Sequence, residues 1–243
     1  MKIIDAHCHF DKFSNIEIKR ILNKYDKDII ILTVSEDLES SIKNLTFSKL
    51  YENIIPAIGI HPWKVDNVKE EDIKFIEKIV KEEKINILGE IGLDKKFKPD
   101  TYEKQKEIFE KFLKIAKDYD LKLNLHAPNA WDDVFNLLIK YDIKKAYFHW
   151  YSGDEKLLEE IEEKGYFIGI NVSALINKKY EKYIEIAKID NIITESDGPY
   201  EYKGIILHPE MIEKLYDKIS EIKKIKKEKL YDIILNNFSR FVY

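Results

Sequence analysis

Apolar and β-branched residues are concentrated in eight short runs, and the charged segments between these runs repeat their apolar positions with a helical period. Several of the runs are almost continuously hydrophobic and do not alternate with polar positions. Such runs are typical of strands that are covered on both faces, as in a parallel sheet. The predicted strands cover residues 2–7, 28–34, 53–60, 86–93, 121–126, 145–150, 166–172 and 191–196.

The charged segments predict helices, and the clearest of them covers residues 102–119. Its apolar residues, among them Phe109 and Phe112, form one stripe along the helix. Asp100 is followed three residues later by Glu103, which is the pattern of a capping box, so we expect Asp100 to be the N-cap. Further helices are predicted after residues 11, 35, 153 and 177, around 73–80 and 135–139, and over 210–222 and 226–235.

Eight strands that alternate with helices predict an α/β fold with a parallel sheet, most simply a TIM-type (β/α)8 barrel. The length of 243 residues is common for one such barrel, and no stretch rich in Pro, Gly or Ser interrupts the chain as a linker would. We therefore expect a single barrel domain over residues 1–243. Active sites of these barrels lie at the C-terminal ends of the strands, so polar residues there are the informative ones.

The composition is globular, with 44% hydrophobic residues and a net charge of −4. This charge does not support the basic stripe of a protein that grips long nucleic acid, although a strand end could still be bound at a metal site. The lone cysteine, Cys8, cannot form an internal disulfide, and neither a signal peptide nor a bilayer-spanning stretch is recognisable. We therefore expect a cytoplasmic protein without a membrane partner.

Five of the six histidines lie at predicted strand ends, and only His208 falls outside this pattern. His7 and His9 alternate with Cys8, so both imidazoles point to one face of the first strand while Cys8 faces the helices. An isolated His-x-His is more often a pair of polar residues that closes a strand. The remaining histidines change that interpretation, and they are His61, His126 and His149.

Glu90 lies between two glycines inside an otherwise apolar strand, where a carboxylate is rarely buried without a cation or a metal. A lysine or backbone amides could also satisfy it, but histidines at the same barrel end favour a metal. Asp197 follows the eighth strand and shares a face with Glu195.

The candidate ligands together supply four imidazoles and two carboxylates, which is more than one closed tetrahedral site uses. The set suits two divalent metal ions with open positions for water. Mixed nitrogen and oxygen donors fit Zn²⁺, Mn²⁺, Fe²⁺, Co²⁺ or Ni²⁺ better than an all-oxygen Mg²⁺ cage. The candidate ligands are His7, His9, Glu90, His126, His149 and Asp197.

Six short motifs surround the candidate ligands. They are Asp-Ala-His-Cys-His at 5–9, Gly-Ile-His-Pro at 59–62, Gly-Glu-Ile-Gly-Leu-Asp at 89–94, Leu-His at 125–126, His at 149 with Ser-Gly at 152–153, and Glu-Ser-Asp-Gly-Pro at 195–199. Taken together, these motifs resemble the TatD-like metal-dependent deoxyribonuclease family of amidohydrolase-like barrels. Their order and spacing cover nearly the whole chain and are specific as a set, whereas any one of them alone would be weak evidence.

The resemblance implies a role for each candidate residue. The first metal would be held by His7, His9, Glu90 and Asp197, and the second by Glu90, His126 and His149. Glu90 would bridge the two metals, and Asp197 would orient or deprotonate the attacking water, so both are candidate catalytic residues. His61 would contact a phosphate or a leaving group, or alternatively would only cap the turn before Pro62.

The sequence departs from the family pattern at two loops. Ala127 and Pro128 stand where many members have Ser-Arg, so an arginine that would clamp a phosphate is absent. Lysines replace the tyrosines that usually follow the fourth strand. Lys95 and Lys96 would either supply positive charge for substrate binding or belong to a solvated loop.

Three hypotheses for the function follow. The first is a two-metal deoxyribonuclease or phosphodiesterase acting on single-stranded DNA or oligonucleotide ends, which the motif set favours. The second is hydrolysis of a small amide, lactone or ester, which the absent arginine and the negative charge favour. The third is a non-catalytic barrel that binds a partner and keeps metal only for stability.

Trp63, Trp150 and Tyr200 each follow a candidate site residue, where they would either stack a base or pack under loops.

Overall fold

A computed structural model describes residues 1–243 and contains eight parallel strands that alternate with helices. The strands are β1 (Ile3–Cys8), β2 (Ile29–Val34), β3 (Ile54–Ala57), β4 (Ile87–Gly92), β5 (Lys122–His126), β6 (Ala146–Phe148), β7 (Phe167–Asn171) and β8 (Ile192–Glu195). The helices are α1 (Asn15–Tyr25), α2 (Leu38–Leu50), α3 (Glu70–Glu83), α4 (Tyr102–Asp118), α5 (Trp131–Lys140), α6 (Glu155–Glu163), α7 (Glu181–Ile186), α8 (Ile212–Lys223) and α9 (Lys227–Val242).

The strands pair in chain order, with β1 to β3 in one parallel ladder and β4 to β8 in a second. Backbone hydrogen bonds join the two ladders at both seams. Gly89 N donates to Ile58 O at 2.9 Å beside β3 and β4, and Asp197 N donates to His7 O at 2.8 Å where β8 ends beside β1. This arrangement confirms the predicted (β/α)8 fold class.

The strands are buried along nearly their whole length because helices cover the sheet, as their continuous hydrophobic runs predicted. Helix α4 shows how the helices are held, since Phe109 and Phe112 are both fully buried on its inner face. No helix combines the length and the apolar character that crossing a bilayer requires.

The start of α4 differs from the expected capping box, and the expectation for Asp100 was wrong. Asp100 lies inside a 3-10 turn, Pro99–Thr101, that continues directly into the helix and leaves Thr101 in the N-cap position. The proline fixes a helical backbone before Asp100 is reached, so the Asp100 side chain cannot cap. Gln105 stabilises this turn instead, because its amide donates to Lys98 O at 2.7 Å.

A small hairpin, β9 (Glu201–Tyr202) and β10 (Ile205–Ile206), follows β8 and was not predicted. Its two turn residues, Lys203 and Gly204, both have positive φ angles of 51° and 76°. That pair of angles is the requirement of a type I′ turn. The hairpin brings Tyr202 to the C-terminal mouth of the barrel.

Candidate metal centre

The six candidate ligands converge at the C-terminal ends of the strands, and none is more than 9% exposed. They come from five strands that lie far apart in the sequence. β1 contributes His7 with His9 immediately beyond it, β4 and β5 contribute one residue each, and the other two follow β6 and β8.

One group of donor atoms forms around the side chains of His7 and His9. His7 Nε2 lies 3.3 Å from Glu90 Oε2 and 3.5 Å from Asp197 Oδ1. His9 Nε2 lies 3.4 Å from each of the same two oxygens. His7 Nε2 is buried and has no hydrogen-bond partner. Two imidazole nitrogens and two carboxylate oxygens at these spacings are suited to surround one divalent cation.

The other oxygen of Glu90 faces a second group of donors. Glu90 Oε1 lies 2.6 Å from His126 Nδ1 and 3.3 Å from His61 Nε2. Because Glu90 directs one oxygen to each group, it stands in the position of a bridge.

His149 lies on the Asp197 side of the centre rather than next to Glu90. Its Nε2 is 3.9 Å from Asp197 Oδ2, and its ring stacks on His7 with the centroids 3.5 Å apart. The centroid of His126 is 6.4 Å from that of His149. The structure therefore brings His149 to the centre, but Asp197 is its nearest carboxylate among the candidate ligands.

Three of the imidazoles contact a further side chain through the ring nitrogen that faces away from the centre. The sequence analysis assigned no role to these three side chains. Asn124 Oδ1 lies 2.7 Å from His7 Nδ1, Asp94 Oδ2 lies 2.8 Å from His126 Nε2, and Glu195 Oε1 lies 2.9 Å from His149 Nδ1. Such outer contacts fix the ring orientation and the tautomer of metal-binding histidines. Strand periodicity could have found two of them, since Asn124 and Glu195 each lie two residues before a candidate ligand.

Asp94 also connects the centre to the cavity rim. Its Oδ2 accepts from Trp63 Nε1 at 2.6 Å, and its Oδ1 accepts from the backbone N–H groups of Lys96 and Phe97 at 2.8 and 2.7 Å. Burial alone would raise the pKa of Asp94, but His126 outweighs it and lowers the pKa to about 2. The carboxylate is therefore charged while it orients both groups.

The electrostatics of the centre favour a bound cation. Burial disfavours protonated His9, but Asp197 and Glu90 outweigh it and raise the pKa of His9 to about 10. Burial is likewise outweighed at His149 by Glu195 and Asp197, which raise its pKa to about 9. Burial would raise the pKa of Glu90, but three neighbouring histidines hold it well below its usual range. Ionised carboxylates thus face imidazoles whose protons a divalent cation would replace.

His61 caps the turn before Pro62, as one alternative predicted, and its ring also faces the centre. Its Nδ1 accepts from Trp63 N at 3.1 Å, which caps the turn that begins at Pro62. Its Nε2 faces the centre, 3.3 Å from Glu90 Oε1 and 3.3 Å from His126 Nδ1.

The two lysines after β4 differ in position. Lys96 lines the cavity above the centre, and none of its contacts is an ion pair. The Lys95 ammonium instead pairs with Asp133 and lies over the ring of Tyr102. The structure therefore brings Lys96 to the site and does not bring Lys95 there.

Two residues at the centre adopt left-handed backbone conformations without being glycine. The φ angle is 43° at Trp150, directly after His149, and 58° at Asp197. Strained backbone of this kind persists where the surrounding structure enforces it, and it concentrates at functional sites. Glu195 is part of that enforcement, since it accepts from Trp150 N at 3.0 Å.

The cavity above the centre has a volume of about 370 Å³ and opens at the barrel mouth. Trp63, Trp150 and Tyr200 all line it, as do two tyrosines that the sequence analysis had not singled out, Tyr180 and Tyr202. Cys8 is fully buried and does not line the cavity.

His208 lies away from the centre and serves the fold. Its Nε2 is 3.2 Å from Glu17 Oε1, and its Nδ1 accepts from Glu210 N at 3.1 Å. It therefore connects the segment before α8 to α1.

A (β/α)8 barrel whose C-terminal mouth holds clustered, buried histidines and carboxylates is the arrangement of a metal-dependent enzyme. A family model described as "TatD related DNase" matches residues 4–242. The chain therefore belongs to the TatD-related family of metal-dependent hydrolases.

Relatives of similar length agree with this assignment. The chain is 33% identical over 250 residues to an uncharacterized metal-dependent hydrolase of Methanocaldococcus jannaschii, and the match covers 99% of this chain and 97% of the relative. It is 30% identical over 248 residues to one of Haemophilus influenzae, with 98% of each chain covered. The crystal structure of YjjV, a TatD homologue of Escherichia coli, has the same fold, with a TM-score of 0.87, 23% identity, and 97% and 95% of the two chains covered.

Proposed function

We propose that this hydrolase is a two-metal phosphodiesterase of the DNase type, acting on single-stranded DNA or on oligonucleotide ends. The observation that carries the proposal is Glu90, which directs one oxygen to each of two donor groups. A bridging carboxylate between two divalent ions is a recurring arrangement for hydrolysis of phosphate esters. The DNase description of the family adds support for a nucleic-acid substrate.

The residues present fit two divalent ions of the zinc or manganese type. His7, His9, Glu90 and Asp197 would hold the first ion, and Glu90 and His126 would hold the second, with His149 approaching from the side of Asp197. The buried His7 Nε2 makes no hydrogen bond although two carboxylate oxygens lie within 3.5 Å, which favours a cation site at this position. Bound ions would polarise a phosphoryl oxygen and lower the pKa of a water molecule.

Asp197 is the group that would accept the proton of the attacking water. Its Oδ1 belongs to the first donor group, which leaves Oδ2 available on the side of His149. The water oxygen forms a bond to phosphorus, its proton goes to Asp197, and the bond from phosphorus to the leaving oxygen breaks.

His61 is suited to contact the leaving oxygen. Because its Nδ1 accepts from Trp63 N, its Nε2 carries the hydrogen in the neutral ring. Burial lowers the pKa of His61, so the neutral ring is favoured. An Nε2–H donor beside the centre would stabilise the charge that develops on the leaving oxygen.

A second candidate function is hydrolysis of a small amide, lactone or ester. The chain has only two arginines, Arg20 and Arg240, and neither lines the cavity. A bidentate phosphate clamp is therefore absent, and lysines supply the only positive charge at the mouth.

The deciding experiment compares single-stranded oligonucleotides with a panel of amides, lactones and esters, using the full chain loaded with Zn²⁺ or Mn²⁺. We expect oligonucleotide turnover, abolished by chelation and restored by the metal. Turnover of a small amide, lactone or ester without oligonucleotide cleavage would select the second candidate. No turnover on either panel by protein with two bound metal ions would favour a structural role for the metals.

A further inference from the structure

Four aromatic side chains form one wall of the cavity, and the metal centre does not account for them. They come from three loops, after β6, β7 and β8. We call this set the aromatic platform, and it consists of Trp150, Tyr180, Tyr200 and Tyr202. Trp150 is its centre, because its ring centroid lies 5.4 to 5.9 Å from those of the three tyrosines.

Hydrogen bonds hold the platform in place, and Tyr200 is its exposed member. Asn177 Nδ2 donates to the Tyr202 hydroxyl at 2.8 Å, and Tyr200 N donates to Asp197 O at 2.9 Å. Tyr200 is 43% exposed although it lies in the wall of a cleft. Contiguous aromatic surface in the wall of a cleft is typical of a ligand-binding groove.

The platform is attached to the metal centre through one carboxylate. Glu195 Oε1 lies 2.9 Å from His149 Nδ1 and also accepts from Trp150 N at 3.0 Å. A flat group stacked on the platform would therefore lie at a fixed position relative to a candidate metal ligand.

The opposite side of the mouth has matching properties. Trp63 and Phe97, from the loops after β3 and β4, have centroids 5.8 Å apart and are 38% and 50% exposed. One lysine lines the cavity on each side, and neither of the two forms an ion pair. Lys96 lies on the side of Trp63 and Phe97, and Lys179 lies beside the aromatic platform. The cavity thus offers aromatic faces for flat rings and free ammonium groups for anions.

We propose that the aromatic platform binds an unpaired nucleobase by stacking, so that the enzyme selects a substrate end that carries a base. The proposal rests on the nuclease function proposed above. Stacking on aromatic side chains accepts any base but requires it to be unpaired. The volume of about 370 Å³ lies near the low end for ligand pockets and suits one nucleotide rather than a base pair.

The test uses single-stranded oligonucleotides that differ only in whether the terminal nucleotide carries a base or is abasic, with the abasic position at either end. For the metal-loaded protein we expect kcat/KM at one of the two ends to be about tenfold higher for the oligonucleotide that carries the terminal base than for the one that is abasic there. This ratio should fall toward one in Tyr200→Leu and in Tyr202→Leu. Tyr200→Phe keeps the ring and should keep the ratio.

Tyr119→Leu is the matched control, because Tyr119 is 37% exposed at the end of α4 and does not line the cavity. It should leave the ratio as in the unmodified protein. The proposal is overturned if the base-to-abasic ratio is the same in the unmodified protein and in Tyr200→Leu.

A second measurement separates this proposal from the nuclease function. If no oligonucleotide is cleaved, the nuclease function fails, and the tryptophan fluorescence of the protein is then titrated with a dinucleotide and with its abasic analogue. Base-dependent binding that is lost in Tyr200→Leu would keep the platform as a base-binding site. Equal binding of the two compounds would overturn it as well.

Discussion

At the scale of single residues, two simple rules were enough to predict the candidate metal ligands from the sequence. The side chains that orient these ligands could not be predicted in this way. A polar residue at a strand end and a carboxylate in an apolar strand were enough to single out His7 and Glu90. Which nitrogen of each ring faces the centre depends on contacts such as Asn124 to His7, which join residues 117 positions apart. His149 was expected beside Glu90 but lies nearer to Asp197, and this position depends on side-chain packing that strand periodicity does not describe.

Glu90→Gln tests the bridge, because it removes the charge of the carboxylate while keeping its size. We expect the number of bound metal ions to fall and kcat/KM to drop by more than about 100-fold, since the loss of a ligand should exceed that of an outer contact. Metal analysis of the purified protein and oligonucleotide hydrolysis give the two readouts.

Glu162→Gln is the control for this variant. Glu162 is also a buried carboxylate, but it lies in α6 and accepts from Lys188 N at 2.6 Å. It should lower stability without changing metal content or turnover. A Glu90→Gln protein with a full metal complement and full activity would contradict the bridging role.

Asp94→Asn tests the outer contact to His126. The amide can still accept a hydrogen bond, but it lacks the charge that stabilises the imidazole in its present orientation. We expect metal affinity to fall about 10- to 100-fold, measured by competition with a chelator of known affinity. Unchanged affinity would mean that Asp94 serves only to hold Trp63 and the loop that carries Lys96.

At the scale of elements, the sequence predicted the existence of the barrel strands and helices better than their ends, and it missed the β9–β10 hairpin. The sequence predicted all eight barrel strands and the helices between them, because the periodicity of apolar residues does not depend on the exact residues at the ends of an element. Asp100 failed as a cap because Pro99 had already started a helical turn. Helix α9 runs to Val242, past the expected end at 235, since Phe238 and Phe241 continue its buried face.

The loop after β4 gives a prediction at this scale, because two neighbouring lysines have different surroundings. Lys96→Ala should raise KM for oligonucleotides and reduce the slope of log affinity against log salt by about 0.7, the value for one phosphate contact to a single strand. Lys95→Ala should have the smaller effect, since its ammonium already pairs with Asp133. Salt titrations of both variants decide the point, and a larger effect at Lys95 would reverse the assignment.

At the scale of the whole molecule, the candidate centre joins parts of the chain that are distant in sequence. Its donors lie on or just after β1, β4, β5, β6 and β8, and the two ladders meet beside β1 and β4. A cation bound there would connect the two seams of the barrel. Without one, the buried carboxylates Glu90 and Asp197 depend on the neighbouring histidines to offset their burial.

Metal removal should therefore lower the stability of the entire barrel and not only abolish hydrolysis. A ligand that binds the folded chain alone and is present at 100 times its Kd stabilises that chain by about 2.7 kcal/mol, which for this length corresponds to a Tm shift of about 5–10 °C. We expect chelation to produce a decrease of this size and Zn²⁺ or Mn²⁺ to reverse it. In Glu90→Gln the shift should be much smaller, because the bridge between the two donor groups is lost. An identical Tm with and without metal in the unmodified protein would show that the ions, if bound, do not hold the strands together.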